Sequence, residues 1–141
     1  MANRILVDTG WQQRIRDKLG LLEPYLPDSV IEQPENITVA EANIIAQLPD
    51  YGGLEDDAKV YLEAAVVCEC AALICPSLSS RLPTKETGPH ESHELDMDWT
   101  EKQKIFEVER DGFIGRVIEI AFPELRPPPL LHFTVTRPRR W

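Results

Sequence analysis

Four stretches of the chain carry apolar residues at helical spacing, separated by turns rich in proline or glycine. In the first, Trp11, Ile15, Leu19 and Leu22 follow a Thr9–Gln12 pair with capping-box spacing, while Gly20 and Pro24 weaken continuation. A helix is therefore expected over about residues 10–22. Pro24, Pro27 and Pro34 mark residues 23–36 as a turn-rich connector. Thr38 and Glu41 repeat the capping-box spacing ahead of Val39, Ala42, Ile45 and Ala46, with Ile44 and Leu48 widening that stripe. Pro49 predicts an end near Leu48, and Pro49–Gly53 reads as a turn. The third stretch is the clearest. Glu55, Asp56 and Asp57 favour a helix start, and Val60–Cys75 is apolar on nearly every face, with Glu63 and Glu69 as its charges. Such a helix belongs at the centre of a bundle, or between a bundle and a neighbouring subunit. Pro76 is expected to stop it.

Residues 77–98 change character: Ser, Pro, Thr, Gly and His dominate, and His93–Trp99 alternates polar residues with Leu95, Met97 and Trp99. That alternation predicts a short β-hairpin or an extended arm over 79–98. Asp98, with Glu101 three residues on, opens the last helix. Ile105, Phe106, Val108, Phe113, Ile114, Val117, Ile118 and Ala121 give it a broad apolar face, and Pro123 ends it. Gly112 and Gly115 are costly inside a helix and suggest a kink or a close helix crossing. Beyond it, Arg126 and three prolines project the remaining residues, in which His132–Thr136 is β-branched and aromatic. A strand of that composition without an adjacent partner needs a sheet edge from elsewhere.

The chain of 141 residues has ordinary globular composition, 43% hydrophobic and 28% charged, and a net charge of −9. Charge is unevenly placed. Arg126, Arg137, Arg139 and Arg140 face no acid within residues 125–141, so the preceding 124 residues carry −13. An acidic body argues against general binding to nucleic acid or anionic membrane, and four arginines alone are a weak footprint on DNA. Val60–Cys75 is too short to span a bilayer, and the apolar run Ile5–Val7 is too short for a signal peptide. Three cysteines without metal spacing suit a reducing compartment, so the chain reads as cytosolic at synthesis.

Catalytic chemistry finds little support. His90, His93 and Glu94 lack the spacing that sets two imidazoles on one helical face, and they read as a solvated loop. Cys68, Cys70 and Cys75 read as core residues rather than nucleophiles. No cofactor and no metal is expected, and the chain reads as a non-enzyme. The tail is different: Leu130, Leu131, Phe133, Val135, Arg137, Arg139, Arg140 and Trp141 have the composition of a partner-binding segment rather than of a frayed end.

Three stretches resemble the head-to-tail connector (adaptor or head-completion) proteins of tailed double-stranded DNA bacteriophages. They are the apolar helix ending in Cys75-Pro76-Ser77-Leu78, the polar arm Ser79–Asp98 with Arg81-Leu82-Pro83, and the closing helix Thr100–Phe122. They span about residues 54–122. The resemblance implies subunits packed side by side in a ring, typically twelvefold, at the head–tail junction of a virion made in bacterial cytoplasm. It implies that the tail docks on the portal protein while the opposite face receives the next tail or neck component. It also implies that an arm including Arg81, Leu82, Leu95, Met97 and Trp99 reaches across subunits. An acidic wall would let DNA pass during ejection without holding it.

The expected architecture is all-α: a bundle of about four helices over residues 1–124, including the arm, followed by an extended tail at 125–141. The expected function is structural, with no membrane role. Three rivals stay open: a non-viral cytoplasmic regulatory subunit whose tail binds a protein, a metal enzyme using His90 and His93, and a DNA-binding protein.

Overall fold

A computed structural model describes residues 3–81 and 98–125. These residues are helical, without a strand among them, and the fold is all-α. The α-helices are α1 (Trp11–Leu19), α2 (Asp28–Ile31), α3 (Val39–Gln47), α4 (Asp56–Arg81) and α5 (Trp99–Ala121). A π-helical turn, Pro34–Thr38, leads into α3, and short 3-10 turns follow α3 and α5.

The start of α1 departs from the sequence pattern. Gly10, at φ 88°, occupies the N-cap without a side-chain cap bond, so the Thr9–Gln12 box does not form. Gln12 instead donates Nε2 to Glu32 Oε2 at 2.6 Å. The helix closes at Leu19 because Gly20 turns left-handed at φ 73°, and Leu21 N returns to the Arg16 carbonyl at 3.0 Å. Leu22 therefore lies outside the helix and is 69% exposed, not part of the stripe. The proline-rich connector is more ordered than its composition suggests. Buried Arg16 donates to the Leu26 carbonyl at 3.0 Å and to Asp28 Oδ1 at 2.6 Å, which fixes the chain as it enters α2.

In α3 the buried row is Ala40, Glu41, Ile44 and Leu48, one turn apart, with Ile37 preceding it. Val39, Ala42 and Ala46 face solvent, so the expected stripe is displaced by about one position. Glu41 is the cause. Thr38 makes no side-chain cap bond, and the carboxylate of Glu41 turns inward instead of closing a capping box.

Asp56 opens α4 at φ 55°, a left-handed conformation that Asp tolerates better than most residues. Pro76 does not end this helix, which runs 26 residues to Arg81. Proline removes one backbone bond from the ladder, at a cost of about 3 kcal/mol in a helix interior. Leu78 lies beyond it and is completely buried, so continuing the helix adds core that offsets the loss.

Helix α5 starts where the sequence places it, with Asp98 Oδ1 accepting from Glu101 N at 3.1 Å. It lies antiparallel to α4. Tyr61 sits under the Arg116 guanidinium, Cys68 meets Glu109, and Cys75 is an electrostatic neighbour of Lys102. Each step is seven residues forward on α4 and seven back on α5, the repeat of an antiparallel coiled-coil seam. Trp99, Phe106, Ile114 and Val117 are buried along it. Ile105 and Val108 are not: Val108 is 71% exposed, so the apolar face of α5 is wider than what the described residues cover.

Candidate functional site

Antiparallel packing fixes where the two expected contact segments leave the body. Arg81, the last residue of α4, and Trp99, the first of α5, share one end of the hairpin, and Leu125 lies at the other. At 1.5 Å per residue the 23 residues of α5 separate these ends by about 35 Å. Of the expected arm residues, Trp99 is only 7% exposed and belongs to this chain's own core rather than to an arm. Residues 79–81, including Arg81, continue α4 instead of belonging to an extended arm. Leu82, Leu95 and Met97 lie outside the described residues, as do the tail residues Leu130, Leu131, Phe133, Val135, Arg137, Arg139, Arg140 and Trp141.

Polar groups lock the body between those ends. Glu69, buried in α4, accepts from Arg110 Nη1 at 2.6 Å and from Asn43 Nδ2 at 2.7 Å, tying α5 and α3 to the central helix. Burial opposes the Arg110 charge, but its bonds to Asp111 and Glu69 outweigh that and raise its pKa. On the same face Lys18 of α1 reaches Glu109 Oε1 at 2.5 Å, while the Cys68 thiol donates to that oxygen at 3.8 Å. Burial works against the Lys18 ammonium, yet its partner Glu109 leaves its pKa raised. Arg14 pairs with Glu63 at 3.0 Å. The two acids that interrupt the apolar run of α4 are thus the points where α1, α3 and α5 attach.

The three thiols are free and buried. Burial pushes Cys68 up to about 11, reinforced by Glu109 and partly offset by Lys18. Cys75 is also raised to about 11, again chiefly by burial, and Cys70 is raised by burial and by Glu69 and Glu41. Thiols held protonated in this way pack as small apolar groups and make poor nucleophiles at neutral pH.

One residue that the sequence assigns to a capping box has a different role. The Glu41 carboxylate accepts from Arg4 N at 2.8 Å, Ile5 N at 2.7 Å and Leu6 N at 2.9 Å. It anchors the amino-terminal segment, whose Ile5 and Leu6 side chains enter the core. The only available signal was an acid at i+1 from a buried alanine and i−3 from a buried isoleucine, a pattern shared by many surface acids. Beside this anchor a groove of about 470 Å³ opens between the amino-terminal segment, the start of α1 and the π turn.

Among the described residues, no group of three His, Cys, Asp or Glu side chains is arranged to hold a metal ion. His90, His93 and Glu94 fall outside them. No helix among the described residues is long and apolar enough to cross a membrane. Comparison with protein-family models, with curated proteins and with solved structures finds no match to this chain.

Proposed function

We propose that this chain is a structural subunit of the head-to-tail connector of a tailed bacteriophage. In this reading about four helices form the bundle, residues 82–97 supply a β-hairpin-like arm to a neighbouring subunit, and residues 126–141 form a portal-docking strand. Copies assemble as a ring, a dodecamer like those of the resembling proteins, in the neck of the virion. DNA passes through the ring without specific binding, and the far face receives the next tail component.

One observation carries the reading. The arm and the tail depart from opposite ends of a locked α4/α5 hairpin, about 35 Å apart. A subunit with two extended attachments on a stiff spacer can hold two different partners at a set distance. The same separation would be pointless in a one-partner regulatory subunit, although that reading shares the basic, apolar tail. The seam supplies the stiffness, since Glu69, Arg110 and Asn43 join three helices through two carboxylate oxygens.

The test is cross-linking on assembled particles carrying a photoreactive residue at Phe133. The portal protein should be labelled. Intact particles in which the portal is never labelled would overturn the tail assignment.

A further inference from the structure

The groove beside α1 exposes Val7, Trp11 and Pro34 over the buried Leu6 and Ile37, among polar side chains that include Glu32. Val7 is 62% exposed, so the groove presents apolar surface that the described residues leave uncovered. Glu32 accepts a hydrogen bond from Gln12, a neutral amide rather than a cation, at the groove wall. The surrounding sequence adds negative charge. From residue 19 to residue 58 the sequence contains nine Asp or Glu and no Lys, Arg or His. The elements of this stretch pack together: α2 and α3 both contact the π turn, and α2 contacts α1. One wall of the groove, from Glu32 to Thr38, therefore belongs to this acidic stretch, while the other comes from residues 3–12, where Arg4 is matched by Asp8.

The complementary chemistry is present in the same sequence. Residues 126–141 carry four arginines, no acid, and the apolar side chains Leu130, Leu131, Phe133, Val135 and Trp141. Sixteen residues can reach at most about 50 Å, enough to extend from one body onto the next. We propose that the groove of one copy receives the carboxy-terminal segment of a second copy, with apolar side chains on Val7 and Trp11 and arginines facing Glu32. A contact between a groove and a tail is heterologous, and heterologous contacts close into rings when the rotation permits. The inference rests on the ring reading above for its second copy. On a particle the portal competes for the same segment, so the groove contact belongs to copies that have not met a portal.

The experiment uses the full chain with Val7 replaced by a photoreactive phenylalanine analogue at the groove rim. Light and nitrogen-15-labelled forms are mixed in equal amounts, unfolded in urea and refolded together so that copies assort at random, then irradiated, digested and read by mass spectrometry. The expected product joins position 7 to a peptide from residues 126–141, and about half of such products pair a light with a heavy chain, as random encounter of copies requires. Products pairing only like with like would show each tail on its own body and overturn the second-copy assignment. Absence of any product with that segment would overturn the proposal outright. Charge gives an independent check: Glu32→Lys, or Arg137, Arg139 and Arg140 together →Glu, should each lower the yield roughly fivefold. Combining the reversals should recover it, and failure to recover would count against the pairing of Glu32 with the tail. Labelling of the portal from Phe133 is a separate readout, so either proposal can fail while the other stands.

Discussion

Glu41 inverts a familiar arrangement: instead of backbone amides cradling a bound anion, a side-chain carboxylate reaches out to three successive amides. Oε1 takes Arg4 N, and Oε2 takes both Ile5 N and Leu6 N. Charge-assisted bonds of this kind are about twice as strong as neutral ones, and the amides they satisfy would otherwise be partly buried donors. Glu41→Gln keeps the shape but places an amide NH2 against at least one of those donors. The variant is expected to lose about 2–3 kcal/mol, or roughly 6–12 °C in melting temperature for a domain of this size. Hydrogen exchange should show the amides of residues 4–6 losing protection while those of α4 and α5 keep theirs. An unchanged melting temperature with unchanged protection would mean that the segment is held by Ile5 and Leu6 alone. Nothing in the sequence announces this role, because an acid at a core-facing helical position is indistinguishable from an acid at a boundary until its donors are known. Those donors lie 35–37 residues away, in a stretch with no helical pattern of its own.

Among the elements, α4 and α5 were the most legible and also held the clearest departures. The apolar run of α4 and the Asp98 cap of α5 identify both helices, since each depends on local spacing. Pro76 misleads because its cost is local whereas the burial of Leu78, which offsets it, depends on the assembled core. The glycines of α5 pose a related problem. Gly112 and Gly115 suggest a close crossing, yet a Cβ added at either would meet nothing within 4 Å. Among the described residues they have only a cost, of roughly 1 kcal/mol each relative to alanine in an exposed helix. Gly112→Ala and Gly115→Ala should therefore raise the unfolding free energy of the isolated chain, together by about 1–2 kcal/mol. Urea unfolding checks this, and destabilisation by either substitution would show that the glycines already serve a packing role in the monomer.

For the whole molecule, charge separates the connector reading from nucleic-acid binding. The first 124 residues carry −13 and the last seventeen carry +4, so any attraction for phosphate must come from the tail against the repulsion of the body. Affinity for duplex DNA depends on how many counterions the protein releases, with a log–log salt slope of about −0.9 per phosphate contacted. Four arginines set an upper limit near −3.6 for this chain, far short of what holds a protein on DNA in about 0.15 M salt once the acidic body is included. Retention on a duplex-DNA column should accordingly be absent at physiological ionic strength. Any retention at low salt should have a shallow slope, and replacing Arg137, Arg139 and Arg140 with Gln should bring that slope to about −1 or less. Tight binding at physiological salt, or a slope that survives those substitutions, would mean that the body itself presents a phosphate-binding surface. A wall that lets DNA slide past would then be untenable, whatever the tail proves to contact.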